Sequence, residues 1–133
     1  PIMTGENIEL PEQALPFLQQ GAVDVLQPDL INSGGITGAK RIADLAALYR
    51  VPICLHNVSG LILNMASQQF SAAIFNCPLM ECSVRADQYQ WATPNPLTIK
   101  EGKMAVSTAP GLGLELDHDY LNAHRAAGEP WWE

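Results

Sequence analysis

The 133-residue chain predicts an α/β fold in which helices cover a parallel sheet. Three observations point there. Short runs rich in Val, Ile and Leu alternate with longer helix-like runs as far as residue 82. The short runs are apolar on both faces, as strands buried between helices must be. Each of them also ends on a polar, titratable residue. Doubly wound sheets and (β/α)8 barrels both fit this rhythm.

The elements follow in order. Ile2-Met3-Thr4 is a short strand candidate that ends at Gly5-Glu6. In LPEQALPFLQQG, Pro11 suits the first turn of a helix and Gly21 the residue after its end. Pro16 removes a backbone donor inside that helix and should kink or shorten it. Residues 23–27 form the second strand, followed by Pro28-Asp29. A loop, LINSGG, leads to a helix over 37–49, where Ile42, Leu45, Ala46 and Tyr49 share one face. The third strand is 51–55, VPICL, which stops on His56-Asn57. The third helix spans 61–75, and Pro78-Leu79-Met80 is a fourth strand ending at Glu81.

Beyond this point the pattern changes. Residues 83–96 are polar and carry Pro94 and Pro96, so they read as an irregular loop. LTIKEGKMAV reads as a β-hairpin turning at Glu101-Gly102. APGLG is a turn cluster, and 117–124 is a short helix with Asp117 as its N-cap. Trp131 and Trp132 are costly to leave in water, so they should pack on a neighbouring surface. The organisation is therefore βα units over 1–82 and a loop, hairpin and tail over 83–133.

Hydrophobic residues make up 47% and charged residues 16%, a globular rather than disordered composition. A net charge of −7 argues against nucleic acid, which needs clustered Lys and Arg. No stretch approaches the ~20 apolar residues of a membrane span. Cys54, Cys77 and Cys82 have no CxxC spacing and read as reduced thiols of a cytoplasmic protein. The chain opens on Pro1, flush against a strand, as a piece of a longer protein would.

Glu6, Asp29, His56 and Glu81 stand at successive strand ends, separated by 23, 27 and 25 residues. These separations approach the ~30 residues of one βα unit in a barrel of about 250 residues. Parallel neighbouring strands would bring all four to one mouth. Carboxylates around an imidazole suit a metal ligand plus an acid/base pair. Asp29 and His56 on adjacent strands would form a carboxylate–imidazole pair, which fixes the tautomer and raises basicity. His118 and His124 lie on a polar segment and read as solvated surface residues.

TGE with Glu6, QPD with Asp29, SGGITG, PICLHN with His56, MECS with Glu81 and PGLGLEL together resemble the mandelate racemase branch of the enolase superfamily. The resemblance implies the C-terminal half of a (β/α)8 barrel, strands five to eight, leading back toward a capping domain. It implies that Glu6 is the last of three carboxylate ligands to Mg²⁺. His56 would be the general base or acid and Asp29 its orienting partner. Glu81 would hydrogen-bond the carboxylate of a small-molecule substrate and stabilise the enediolate. The muconate cycloisomerase-like branch has an Asp ligand and a Lys base at the corresponding places, where this chain has Glu6 and Asp29. The mandelate racemase pattern has a Lys where this chain has Asn32. Acid-sugar dehydration is the expected reaction, with racemisation of a 2-hydroxy acid as the alternative.

The other two metal ligands, a Lys-x-Lys motif and the capping domain precede the fifth strand in that family and are absent from these residues. The 133-residue chain alone is therefore expected to bind Mg²⁺ weakly and to be inactive. A half-barrel has two open edges, which predicts a homo-oligomer. Two readings of other classes stay open. One is a doubly wound binding module, although Gly34-Gly35 lacks the GxGxxG spacing after the first strand. The other is a non-catalytic half-barrel that acts through assembly.

Overall fold

The computed structural model describes residues 1–83 and 91–131. Its sheet is parallel. β1 (Met3–Thr4) pairs with β2 (Val25–Leu26), Met3 opposite Val25. A third segment, 52–56, joins β2 through single bridges, Leu26 with Ile53 and Asp29 with His56. Backbone bonds run from Leu26 N to Pro52 O, Cys54 N to Leu26 O and His56 N to Pro28 O, at 3.0, 3.1 and 3.0 Å. Pro52 and Pro28 contribute carbonyls but no N–H groups, which keeps this ladder sparse.

The expected fourth strand at Pro78-Leu79-Met80 is not a strand. Ile53 N donates to Asn76 O at 2.7 Å, and further along Asn57 bonds Glu81. The 76–81 segment thus runs alongside 53–57 in the same direction without a ladder. Pro78 lacks a donor, and Leu79 is 56% exposed with no apolar face to bury.

α1 (Pro11–Gln19) begins with Pro at its first position, and the Gln13 side-chain oxygen accepts from Glu9 N and Leu10 N at 2.7 and 3.1 Å. Pro16 lies inside α1, and the helix continues only to Gln19. Ala22 N then bonds Phe17 O and Gly21 N bonds Leu18 O, with Gly21 left-handed at φ 59°. These paired bonds make a Schellman end.

α2 (Gly35–Leu48) starts two residues before the expected position. It ends with the same motif, Val51 N on Ala46 O and Arg50 N on Ala47 O, but with Arg50 in the left-handed place at φ 60°. Its buried face is Ala39, Ile42, Ala43 and Ala46, while Tyr49 of the expected face is exposed. Ala39, Ala43 and Ala46 belong to the same buried core as Leu26 and Ile53. α3 (Leu61–Ala73) buries Leu63 and Phe70 on the same core as Leu26, Ile53 and Leu55. Each of those three sheet residues is fully buried, and burial of such a side chain contributes about 1.5–3 kcal/mol.

β3 (Ile99–Lys100) and β4 (Lys103–Met104) form the expected hairpin around Glu101-Gly102. It is tied to α3 by side chains: Gln68 Nε2 donates to Ala105 O and Gln69 Nε2 to Ser107 O. α4 (His118–Ala123) is capped by Asp117, which accepts from Tyr120 N at 2.8 Å. Trp131 meets the His118 ring edge-on at 5.7 Å, while Trp132 and residues 84–90 of the predicted loop lie outside the described residues. His118 and His124 are exposed. Among the described residues no helix is long and apolar enough to cross a membrane.

Candidate active site

The carboxyl ends of the parallel segments gather the polar residues. Asp29 Oδ2 lies 2.9 Å from His56 Nδ1, on segments whose backbones are bridged at these same two residues. Asp29 Oδ1 accepts from Ile31 N at 2.7 Å. The Asp29 side chain is 6% exposed and that of His56 25% exposed. A carboxylate accepting from Nδ1–H leaves Nε2 as the ring atom able to take or give a proton. The loop after Asp29 is pinned by Ser33, whose N and Oγ both donate to Asp29 O, at 2.9 and 2.6 Å. Gly38 of α2 packs against this loop. A Cβ there would come within 1.6 Å of Ser33 O, so only glycine fits.

Glu81 is drawn to the same end. Its Oε2 accepts from Asn57 N at 2.9 Å and from Gln27 Nε2 at 3.2 Å. Asn57 Nδ2 also donates to Glu81 O at 3.1 Å and to Asn64 Oδ1 at 2.7 Å. Asn57 and Asn64 are fully buried, and Asn57 Oδ1 has no hydrogen-bond partner among the described residues.

Glu6 follows β1 through Gly5, whose φ of 135° brings the chain against the Gln27 backbone. The backbone N–H groups of Glu6 and Gly5 hold the Glu6 carboxyl below the usual glutamate range, against a smaller opposing effect of burial. His56 and the Thr4 hydroxyl add to the lowering. Glu6 is thus within electrostatic reach of His56. Asn32 Nδ2 donates to Glu6 O at 2.9 Å.

The structure therefore joins Asp29 to His56 directly and Glu81 to the residue after His56, while Glu6 follows β1 and is bonded by Asn32 through its carbonyl. Among the described residues no group of three or more His, Cys, Asp or Glu could hold a metal ion. Glu6 is a single anionic oxygen donor, too few for Mg²⁺, so this ion does not fit the described residues alone. Gln27, Asn57 and Asn64 were missed from the sequence. Gln27 carried a readable signal: it lies two residues before Asp29 and so faces the same way in an extended segment.

Burial pushes the Cys54 and Cys82 thiols up, in keeping with unreactive neutral thiols. A separate cavity of about 550 Å³ lies between the starts of α2 and α3 and α4. It is lined by Leu30, Ile36, Leu61, Leu63, Leu116 and Leu121 and by none of the four strand-end residues.

The parallel segments thus carry a carboxylate–imidazole pair and two glutamates toward their carboxyl ends. Residues 1–120 match the model for enolase C-terminal domain-like proteins, and the chain belongs to that family. It is 39% identical over 130 residues to a D-xylonate dehydratase from Haloferax volcanii, which covers 97% of this chain and 32% of that protein. It is 31% identical over 128 residues to a D-gluconate dehydratase from Thermoproteus tenax, over 94% of this chain and 26% of that one. A mandelate racemase/muconate lactonizing enzyme-like protein from Rubrobacter xylanophilus superposes with a TM-score of 0.85 at 35% identity, over 98% of this chain and 34% of the other. The chain thus spans between about a quarter and a third of the length of these relatives.

Proposed function

We propose that this chain is the C-terminal part of a longer enzyme that dehydrates an acid sugar. The observation that carries the reading is the 2.9 Å Asp29–His56 pair, with Glu81 bonded to the adjoining Asn57. The resemblance to D-xylonate and D-gluconate dehydratases supports the substrate class.

The reaction removes a proton from C2 and a hydroxyl from C3 of a 2,3-dihydroxy carboxylate. The products are water and an enol, which becomes the 2-oxo-3-deoxy acid. A proton α to a carboxylate is weakly acidic, and hydroxide is a poor leaving group. His56 Nε2 serves as the acid or base at these atoms, and Asp29 holds the ring and stabilises its charged form. In its acid form Glu81 would donate a hydrogen bond to the substrate carboxylate, where negative charge builds. Glu6 would be one ligand of a Mg²⁺ that needs further carboxylates from outside these 133 residues and would stabilise the developing negative charge.

In this reading residues 1–82 supply barrel strands five to eight, and residues 83–133 return toward a capping domain. The 133-residue chain alone is inactive, and its open edges are covered by the rest of the enzyme and by a homo-oligomer. The test is to incubate the full-length protein with Mg²⁺ and either D-xylonate or D-gluconate. A 2-oxo-3-deoxy acid is the expected product. Exchange of the α-proton with solvent deuterium, with no oxo acid formed, would replace dehydration by racemisation. Absence of both reactions across a panel of acid sugars would overturn the reading.

A further inference from the structure

Glu81 is the one strand-end residue that no backbone ladder positions. Two N–H groups from neighbouring strand ends converge instead on a single oxygen of its carboxylate. Asn57 N reaches Oε2 at 2.9 Å and Gln27 Nε2 reaches it at 3.2 Å. Both donors are buried, Gln27 at 9% exposure and Asn57 at zero. Asn57 grips Glu81 a second time, through Nδ2 on its carbonyl, and Asn64 Oδ1 holds that same amide group. Cys82 Sγ lies 3.6 Å from Asn64 Oδ1, so Asn64 Oδ1 serves as the acceptor and the amide orientations are set by the network.

We infer that Gln27 and Asn57 are positioning residues that occupy Oε2 of Glu81 and reserve Oε1 for the substrate. The inference rests on the dehydratase reading, since it assigns Glu81 its partner. Two donors use up the in-plane lone pairs of Oε2. A hydrogen bond from Glu81 to a substrate carboxylate needs a proton on Glu81, and with Oε2 already accepting twice that proton is carried by Oε1, whose direction the two donors set. Gln27 belongs to the Asp29 segment and Asn57 to the His56 segment, so Glu81 is aligned against both members of the pair at once.

The test uses the full-length enzyme and the variants Gln27→Met, Glu81→Asp and their double. Gln27→Met keeps the chain length and removes the side-chain amide. The expected result is a fall in kcat of about tenfold or more for Gln27→Met, with KM changed less than about threefold. Glu81→Asp withdraws the carboxylate from both donors. Adding Gln27→Met to it should then cost nothing further. Losses that multiply in the double, or a Gln27→Met enzyme with wild-type kcat, would overturn the inference. If Glu81→Asp is too slow to follow, the kcat and KM of Gln27→Met decide. A wild-type enzyme without turnover of any acid sugar would overturn the function reading and this inference with it. An active wild type with indifferent variants would overturn the inference alone.

Discussion

The Asp29–His56 end of the sheet and the Glu81 end hold their side chains by different means. At the first, two backbones are bridged at the very residues whose side chains meet, and Ser33 clamps the following loop. At the second, the segment carries no ladder, and side chains from Gln27 and Asn57 do the placing. Backbone pairing is insensitive to most substitutions, because every residue but proline carries the same N–H and C=O groups. Side-chain positioning depends on identity, so the Glu81 end should tolerate far less variation in its surroundings.

Breaking the paired end directly should have the largest effect. His56→Asn removes the ring and should lower turnover of the full-length enzyme by about 10²–10⁴-fold, measured as oxo-acid formation, with an unchanged circular dichroism spectrum. Asp29→Asn keeps the shape but offers the ring an amide. It should lower kcat by less than loss of the ring does, because the imidazole keeps a hydrogen-bonding neighbour and loses only its anionic partner. Gly38→Ala attacks the same end through its support. The new methyl meets Ser33 O, so unfolding in urea should show a loss of about 3 kcal/mol, the upper range for overpacking.

Acid should protonate Glu6 only below the range of an ordinary glutamate. Its carboxyl is held below the glutamate range by backbone N–H groups. The stability this contributes is present above the unfolded pKa and is lost as pH falls through the lowered folded value. An NMR titration should find the Glu6 midpoint below that of an unstructured glutamate, and a midpoint at or above it would contradict the geometry. The smallest effect should come from Arg50→Gly, at the end of α2 where the chain turns into the His56 segment. Relief of left-handed strain, about 1–2 kcal/mol, is offset by glycine's greater freedom when unfolded, about 0.5–1 kcal/mol. A net gain of about 0.5 kcal/mol in urea unfolding is expected.

Much of this was legible in the amino-acid sequence where one cause dominates. Pro11 and Gly21 bracket α1, Asp117 caps α4, and the Glu101-Gly102 turn closes the hairpin, because each rests on local stereochemistry. The Asp29–His56 pair followed from the repeat of units. The 78–80 segment was misread because three apolar residues say nothing about whether a partner strand lies alongside. Tyr49 keeps the helical spacing of Ile42, Leu45 and Ala46, yet it is the helix's C-cap and is exposed. Asn57 and Asn64 were illegible, since a buried amide declares itself only when its partners, distant in the chain, are in place.

His56 and Asn57 are consecutive, and the N–H that Glu81 accepts belongs to the peptide unit joining them. That unit is rigid and planar, with its two Cα atoms about 3.8 Å apart. It works as a ruler between the imidazole and the carboxylate. One inserted residue would lengthen the ruler and turn the amide to the opposite side of the strand. Loop-length change, tolerated almost anywhere else on a surface, is therefore forbidden at this single joint.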